Sequence, residues 1–534
     1  KITMKKKIFK ILGVILSLIA VWFSWSKWIS PTRIALVNFP TYQVANIALS
    51  NTDYFIKFKD VPLEDIDELE DYDFVLTWGM GLRIDDSQRQ KFLKIAEKVP
   101  THFISVTAPE NDITSLTDKQ LDEVEGYLNS VSKKNYQNFA RYVRTKIDGK
   151  KLFVTEPEKP SKTLADAFFY IGEDNYFANI KDFENYLKKQ KIYQEGKPKV
   201  ALIAGIHDPF SGNRQHLDSI IVSLQKSGLN VYPFATFNKR IDFLEQINPD
   251  AVVYFPHGRV QMMEPDDTVE WLKKQNIPLF APLSILDLKD KWKENPMGMF
   301  GGFMGQTIVM PELDGALYPY ALIAQEKTKD GFYLFKAMPD RLKTFTKIIN
   351  NYIHLKKIKN EDRKIAIYYY KGYGQNPLVA QGLETNASLY NFLKRLKAEG
   401  YKVENFPSTE HEFEQILNQK GNIFLSSADG AFQNFVKNGN PELVETSVYE
   451  KWLKNAVEKP LYQQIMQKNG SAPYSYMGVD KGNKHYLVIS RVKFGNVVIL
   501  PQPPASVSSD DQFKVTHGAK EIPPHAYIGS YLWT

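Results

Sequence analysis

Histidines and a pair of carboxylates are the side chains in this sequence best able to do chemistry, because it contains no cysteine. Disulfides, thiolate nucleophiles, iron–sulfur clusters and Cys-type zinc sites are excluded within this span, while the compartment stays open. Nine histidines are present, and none falls in the H-x-x-x-H or H-E-x-x-H spacing that sets two imidazoles on one helix face. His517 and His525 stand apart, in Pro- and Gly-rich C-terminal loops where a neutral imidazole is free to ligate a metal or hydrogen-bond an anion. Glu312 and Asp314 sit in "TIVMPELDGALYPYAL" (307–322). There Pro311 fixes φ and Asp314–Gly315 suits a tight reversal with both charges facing water. The stretch "YKGYGQNP" (370–377) matches neither a P-loop nor a full G-x-G-x-x-G, and "GMFGGFMGQ" (298–306) reads as a lid or close-packed turn. No nucleotide site is expected in this span, and no G-x-S-x-G elbow occurs.

The aromatic load is high, with 29 Tyr, 33 Phe and 8 Trp. Core packing accounts for most of it, but "YYYKGY" and "FGGFM" beside glycines would also stack on a large planar ligand.

The elements that must position these residues alternate. "RIALVNF" (33–39), "YFIKF" (54–58), "DFVLTWG" (73–79) and "THFISVTA" (101–108) are strand-like, with helical patterns such as "DSQRQKFLKIAEKV" between them. The pattern recurs from "KVALIAG" (199–205) through "DAVVYFP" (250–256) and "IPLFAPLS" (277–284), and again from "RKIAIYYYK" (363–371) to "GNIFLSS" (421–427). Strands alternating with helices predict parallel sheets covered on both faces. In both "SLQKSGLNVYPF" and "RLKAEGYKVENF" a helix should end at an αL glycine and a strand start at once. Helical connectors are expected at 117–147 and around 335–355, and a charged helix at 181–197. At 534 residues and 43% hydrophobic content the chain can bury several cores. Basic and acidic residues, 68 and 61, are interspersed for a net +7, which is no nucleic-acid footprint.

The N-terminal "MKKKIFKILGVILSLIAVWFSWSKWIS" sets lysines before an apolar run from Ile11 to about Trp25. With Leu16 in its core and Trp22 and Trp25 at the far interface, it predicts an uncleaved transmembrane anchor. Ile8, Phe9 and a snorkelling Lys10 must be included for the span to suffice. No small-x-small cleavage site follows, so the body is expected in the periplasm, tethered to the inner membrane; a cytoplasmic location is the alternative. The expected organisation is an anchor (1–30), a first α/β lobe with helical extension (31–195) and a second lobe ending after "PELDG" (196–360). A third lobe (361–475) and the start of a β-rich region (476–534) follow. The fold class is thus α/β: a transmembrane helix, several flavodoxin- or Rossmann-like parallel-sheet lobes, helical connectors and a β-rich C-terminal segment. The natural protein is expected to continue past Thr534.

The order of these pieces resembles the large subunits of cobaltochelatase (CobN) and magnesium chelatase. The likeness rests on "PELDG" (311–315), "IAIYYYKGYGQNP" with "ASLYNFLKRLKAEGY", "FGNVVILPQPP" (494–504) and "PPHAYIGSYLW" (523–533). Such proteins grip a tetrapyrrole and insert a metal with ATPase partner subunits. Two departures stand out: Ala505–Ser506 where the family has Arg-Gly, and Val515–Thr516–His517 where it has Tyr-His-Asp. Together with the anchor these resemble the haem-uptake branch, the HmuS proteins of Bacteroidetes, implied to remove iron from haem alongside other haem-uptake proteins. The resemblance implies haem or another metallotetrapyrrole as substrate, with iron, cobalt or magnesium as the metal. It implies Glu312, Tyr373, Gln502, His517 and His525 as tetrapyrrole contacts, the two histidines also as metal contacts. Cobalt or magnesium insertion, and a non-catalytic periplasmic haem-binding or delivery module, are the alternatives.

Overall fold

The computed structural model describes residues 2–104, 112–162, 164, 166–172, 175–299, 301–371, 379–380, 383–424, 428–507 and 521–534. These form two compact units, Lys1–Ile353 and His354–Thr534.

The first unit begins with a helix, Ile2–Ser24, and a π turn, Trp25–Ile29. Among the described residues no helix is long and apolar enough to cross a membrane, so the expected anchor is left unsupported. The run from Ile11 to Trp25 alone rises about 22 Å as an α-helix, against a hydrocarbon core of about 30 Å, so the expected span depends on Ile8, Phe9 and Lys10. Leu16, Trp22 and Trp25 are exposed on it.

Two parallel sheets follow. The first has the order β2-β1-β3-β4, from β1 (Thr32–Val37), β2 (Ile56–Val61), β3 (Phe74–Trp78) and β4 (Thr101–Ile104). β1 is buried at every position but Arg33, the near-continuous apolar run a central parallel strand requires. Asp85–Gln88 and Thr117–Gln120 form capping boxes that start the helices Asp86–Ala96 and Asp118–Asn129. Lys133–Tyr142 completes the expected helical connector.

The second sheet has the order β10-β9-β7-β8-β5-β6. Its members are β5 (Ala167–Phe169), β6 (Tyr176–Phe177), β7 (Lys199–Ile203), β8 (Asn230–Ala235), β9 (Ala251–Tyr254) and β10 (Leu279–Phe280). β5 and β6 pair antiparallel at its edge, so residues assigned above to the first lobe complete the second. The helix Gln215–Lys226 ends before Gly228, whose φ of +90° is the left-handed turn expected between helix and strand. A smaller sheet, β11 (Leu283–Leu288), β12 (Ala321–Lys327) and β13 (Tyr333–Ala337), shares the second lobe's core through Leu322, Ile323 and Phe335.

The second unit departs from a third repeat. β14 (Ile365–Tyr369) is followed by a short pair, β15 (Val379–Ala380) and β16 (Leu383–Glu384). Next come β17 (Glu442–Glu445), β18 (Gly478–Lys481), β19 (Lys484–Ile489), β20 (Val492–Phe494) and β21 (Val497–Pro501). β14 pairs parallel with β21 in the sheet β14-β21-β20, so one sheet spans the boundary expected at 475. Gly400 takes the αL turn at φ +82°, yet residues 401–406 form no strand. Instead the Lys402 carbonyl accepts the Asn496 N–H, docking that stretch against the β20–β21 turn.

Candidate functional site

A cavity of the first unit, about 710 Å³, lies where the C-terminal ends of the two parallel sheets converge. This follows from topology. β1 and β7 each sit between neighbours reached by crossovers of opposite direction, and loops leaving such switch points diverge to leave a crevice. The first lobe contributes Phe39 and Tyr42 after β1, Trp78 at the end of β3, and Tyr136. The second contributes the loop after β7, Phe237 after β8 and His257 after β9.

The loop after β7, "GIHDPFSGNRQH" (205–216), forms the floor. Gly205 has φ +60° and a Cβ there would lie 1.7 Å from the Phe255 carbonyl oxygen, so only glycine lets the β7 and β9 loops meet. The Ile206 N–H donates to that carbonyl at 3.1 Å. The loop is also fastened to the first lobe: Lys133 N–H donates to the Phe210 carbonyl, and Gly212 N–H to Ser50 Oγ at 3.1 Å. Arg214, buried, donates to the carbonyls of Pro209 and Tyr170 and to Asp218 Oδ1.

His207 and Asp208 carry the titratable groups of this floor. His207 Nε2 meets Ser284 Oγ at 2.8 Å while Nδ1 is buried without a partner, and burial pushes the imidazole down to about 3. Its ring lies 4.3 Å from that of His216. His216 has both nitrogens buried and unpartnered, and burial, then His207, Arg214 and Lys336, hold it well below its ordinary value. Asp208 Oδ1 accepts the Phe210 N–H at 2.8 Å, whereas Oδ2 is buried with no donor. Burial raises this carboxyl to about 6 against the pull of the Phe210 N–H, the Ser211 hydroxyl and Arg214. The Ser211 oxygen, though near, makes no well-formed bond of its own.

The far rim is set by Arg240, which donates to the carbonyls of Thr236, Arg259 and Val260, and by Asp314. Asp314 does not cap a solvent-facing turn. Its Oδ1 accepts from Arg259 Nε at 2.6 Å and its Oδ2 from the Val260 N–H at 2.7 Å. "PELDG" is a short helix, Met310–Leu313, closed by Gly315 at φ +82°, that clamps the His257–Val260 loop.

The other residues expected at a site fall elsewhere. Glu312 is exposed on that short helix and does not line the cleft. Tyr373 and His517 lie outside the described residues. Gln502, half-buried after β21, donates its backbone N–H to the Tyr369 carbonyl at 2.7 Å. His525 heads the helix His525–Trp533 and is buried, stacked on Tyr474 at 4.1 Å. Its Nε2 meets the Gly470 carbonyl at 2.9 Å and its Nδ1 the Tyr449 hydroxyl at 2.8 Å. A carbonyl only accepts, so Nε2 carries the proton and Nδ1 accepts from the phenol. Both nitrogens are used by the fold, which corrects the expected metal contact; burial also lowers the imidazole. Among the described residues no group of three His, Asp or Glu is placed to hold a metal ion. The small cavity beside this helix, about 20 Å³, holds no more than a water.

Sequence reasoning passed over His207, Asp208, Trp78 and Tyr136. The available signal was two titratable residues directly after the central strand "KVALIAG".

Comparison with known proteins places this architecture. A family profile described as CobN/Magnesium Chelatase matches residues 125–534. An uncharacterised protein of Methanocaldococcus jannaschii is 25% identical over 82% of this chain and 36% of its own. A magnesium-chelatase subunit of Chlorobaculum parvum is 24% identical over 68% of this chain and 28% of its own. The solved catalytic subunit of cobaltochelatase from Mycobacterium tuberculosis superposes with a TM-score of 0.65 at 18% identity, over 94% of this chain and 41% of that one. The chain therefore spans roughly a third of the length of the curated relatives it matches. On the profile match and the shared fold, it belongs to the CobN/Magnesium Chelatase family.

Proposed function

We propose that this chain is the part of a tetrapyrrole chelatase that holds the macrocycle, and that the cleft of the first unit is its seat. The observation that carries the reading is the cleft itself. Its volume of about 710 Å³ is walled by Phe39, Tyr42, Trp78, Tyr136, Phe210 and Phe237, interleaved with polar side chains that include Asn46, His207, Asp208 and Arg240. Rings of this kind stack on a flat ligand and exclude water from it. The named activities of the chelatase relatives support the same class, with the metal as cargo rather than a resident cofactor.

Within that class we favour removal of iron from haem. Supporting it are Ala505–Ser506 in place of an Arg-Gly pair that could hold a propionate, and the lysine-flanked N-terminal helix. That helix also supports a location at the inner membrane facing the periplasm. Insertion of cobalt or magnesium with ATPase subunits is the competing direction, and a non-catalytic haem carrier the competing class.

Titration of the purified chain with haem and metal-free porphyrin tests the seat: Trp78 fluorescence should quench and the porphyrin band shift at one equivalent. With the full-length protein and haem, free porphyrin appearing under reducing, anaerobic conditions supports iron removal. A static band shift supports the carrier. Failure to bind any tetrapyrrole overturns the reading.

A further inference from the structure

Three segments far apart in the sequence meet at one buried guanidinium. Arg144 donates to the carbonyls of Ile29 and Ser30 after the first helix, of Phe55 just before β2, and of Leu152. β1 starts at Thr32 and β2 at Ile56, so this junction lies at the N-terminal end of the first sheet. The cleft lies at the opposite end, past the finish of the same parallel strands.

Around the junction the lobe leaves rings in water. Tyr54 keeps 75% exposure and Phe153 66%, and Leu152, Trp25 and Trp28 are exposed as well. Half-buried Phe55 joins the first two, edge-on to Tyr54 at 5.3 Å and stacked on Phe153 at 5.4 Å. Phe153 also has φ +57°, a left-handed backbone that a bulky side chain adopts only under strain. Burial in a core would offset that strain, yet most of this ring faces solvent. The carboxylates of these segments are engaged, Asp53 with Arg141 at 2.7 Å, Asp148 with Lys150 at 2.9 Å and Glu156 with Lys146. Lys57 Nζ lies instead over the Tyr54 ring at 4.6 Å and Lys27 Nζ over Trp28 at 6.0 Å, while Lys151 is exposed beside Leu152. The ledge is therefore aromatic and basic.

We propose that this ledge rests on an anionic lipid bilayer, with Tyr54, Leu152 and Phe153 in the headgroup boundary and Lys27, Lys57 and Lys151 against lipid phosphates. Aromatic rings favour that boundary, and each basic residue near an anionic surface adds attraction. Continuity identifies the occupant: on the other side of the Arg144 junction stands a helix whose Leu16, Ile19 and Trp22 are exposed. A six-residue strand spans about 20 Å, so the cleft is held about that far from the bilayer and opens away from it. Its ligand then arrives from water or from another protein, not by sideways transfer out of the lipid. The proposal goes beyond the identity of that ligand and does not depend on it.

Flotation of the full chain with vesicles of phosphatidylcholine, with and without phosphatidylglycerol, tests the contact. Phe153→Gly removes the ring and relieves the backbone, so vesicle affinity should fall about tenfold while the urea midpoint holds or rises. Lys57→Glu combined with Lys151→Glu should abolish the preference for the anionic vesicles. Because the chain has no cysteine, one fluorophore can be placed at will. At Thr155→Cys, beside the ledge, nitroxide-labelled lipid headgroups should quench it; at Met263→Cys, past the C-terminal end of β9, they should not. Failure of the unaltered chain to float overturns the proposal. So does a lowered midpoint with unchanged vesicle affinity in Phe153→Gly, which makes the ring structural and leaves any binding to the helix. Quenching at 263 in place of 155 overturns it too. If Phe153→Gly breaks up a dimer in sedimentation while vesicle affinity holds, the occupant is a second copy of this chain and the lipid contact falls.

Discussion

Removing the Asp314 carboxylate tests whether the "PELDG" element holds the rim of the cleft. The side chain is fully buried, while that of Arg259, its ion-pair partner, keeps 16% exposure. Breaking a buried ion pair costs about 3–5 kcal/mol when the abandoned charge stays dry. Arg259 can turn toward water, so Asp314→Ala should sit at the low end, about 3 kcal/mol. Asp314→Asn keeps an oxygen for the Val260 N–H and loses only the charge, for about 1–2 kcal/mol. Urea unfolding followed by tryptophan fluorescence measures both. Combining Asp314→Ala with Arg259→Met should recover about 2 kcal/mol of the summed single losses, because the two side chains act as a pair. The effect should reach the ligand. The clamped loop carries His257, and its Arg259 and Val260 carbonyls anchor Arg240, so tetrapyrrole affinity should fall with stability. A loss under about 0.5 kcal/mol, the range of an ordinary surface substitution, with unchanged binding would refute the clamp and restore the solvent-facing turn.

Acid should destabilise the first unit through its buried imidazoles. His207 is held at about 3 and His102 at about 4, so the unfolded chain binds protons first and stability falls as pH drops below about 6.5. Asp208, raised to about 6, works the other way between about 4 and 6 but is outnumbered. His207 alone should account for about 2–3 kcal/mol at pH 4.5, and His207→Gln should flatten the acid limb of urea midpoints. Gly205→Ala should cost more than about 3 kcal/mol and abolish ligand binding, since its methyl would meet the Phe255 carbonyl at 1.7 Å. His525→Gln should destabilise the second unit by about 1–3 kcal/mol without altering metal uptake, as equilibrium dialysis would show. A lost metal equivalent would return His525 to the role first expected of it.

Parallel lobes were legible because burial on both faces writes itself into a strand. "RIALV", "DFVLTW", "KVALI" and "DAVVY" are apolar at nearly every position, and each is a strand of the first unit. The third unit of the pattern misled for a reason of partnership. "RKIAIYYYK" reads like "KVALIAG", but its neighbour in the sheet is "VVILP", more than a hundred residues later. Periodicity reports that a strand is buried and is silent about what lies beside it. The anchor stays unsupported. Its helix forms, yet the apolar run needed the charged residues before it to reach across a bilayer.

The site was less legible because its members are ordinary in their local context. Arg144 shows the difficulty. It is wholly buried and donates to the carbonyls of Ser30, Phe55, Ile29 and Leu152 and to Thr32 Oγ1, but "RYVRTKI" reads as a charged helix end. Asp208 likewise sits in a polar loop stretch that predicts exposure. Its loop is held by a contact between lobes, Gly212 seated on Leu49 and Ser50 where a Cβ would lie 2.6 Å from the Leu49 carbonyl. That contact pairs residues 162 positions apart, and no local pattern encodes it. A substitution that opens the contact, Gly212→Ala, should therefore destabilise the first unit and lower its urea midpoint, because the added methyl would lie 2.6 Å from the Leu49 carbonyl and force the two lobes apart.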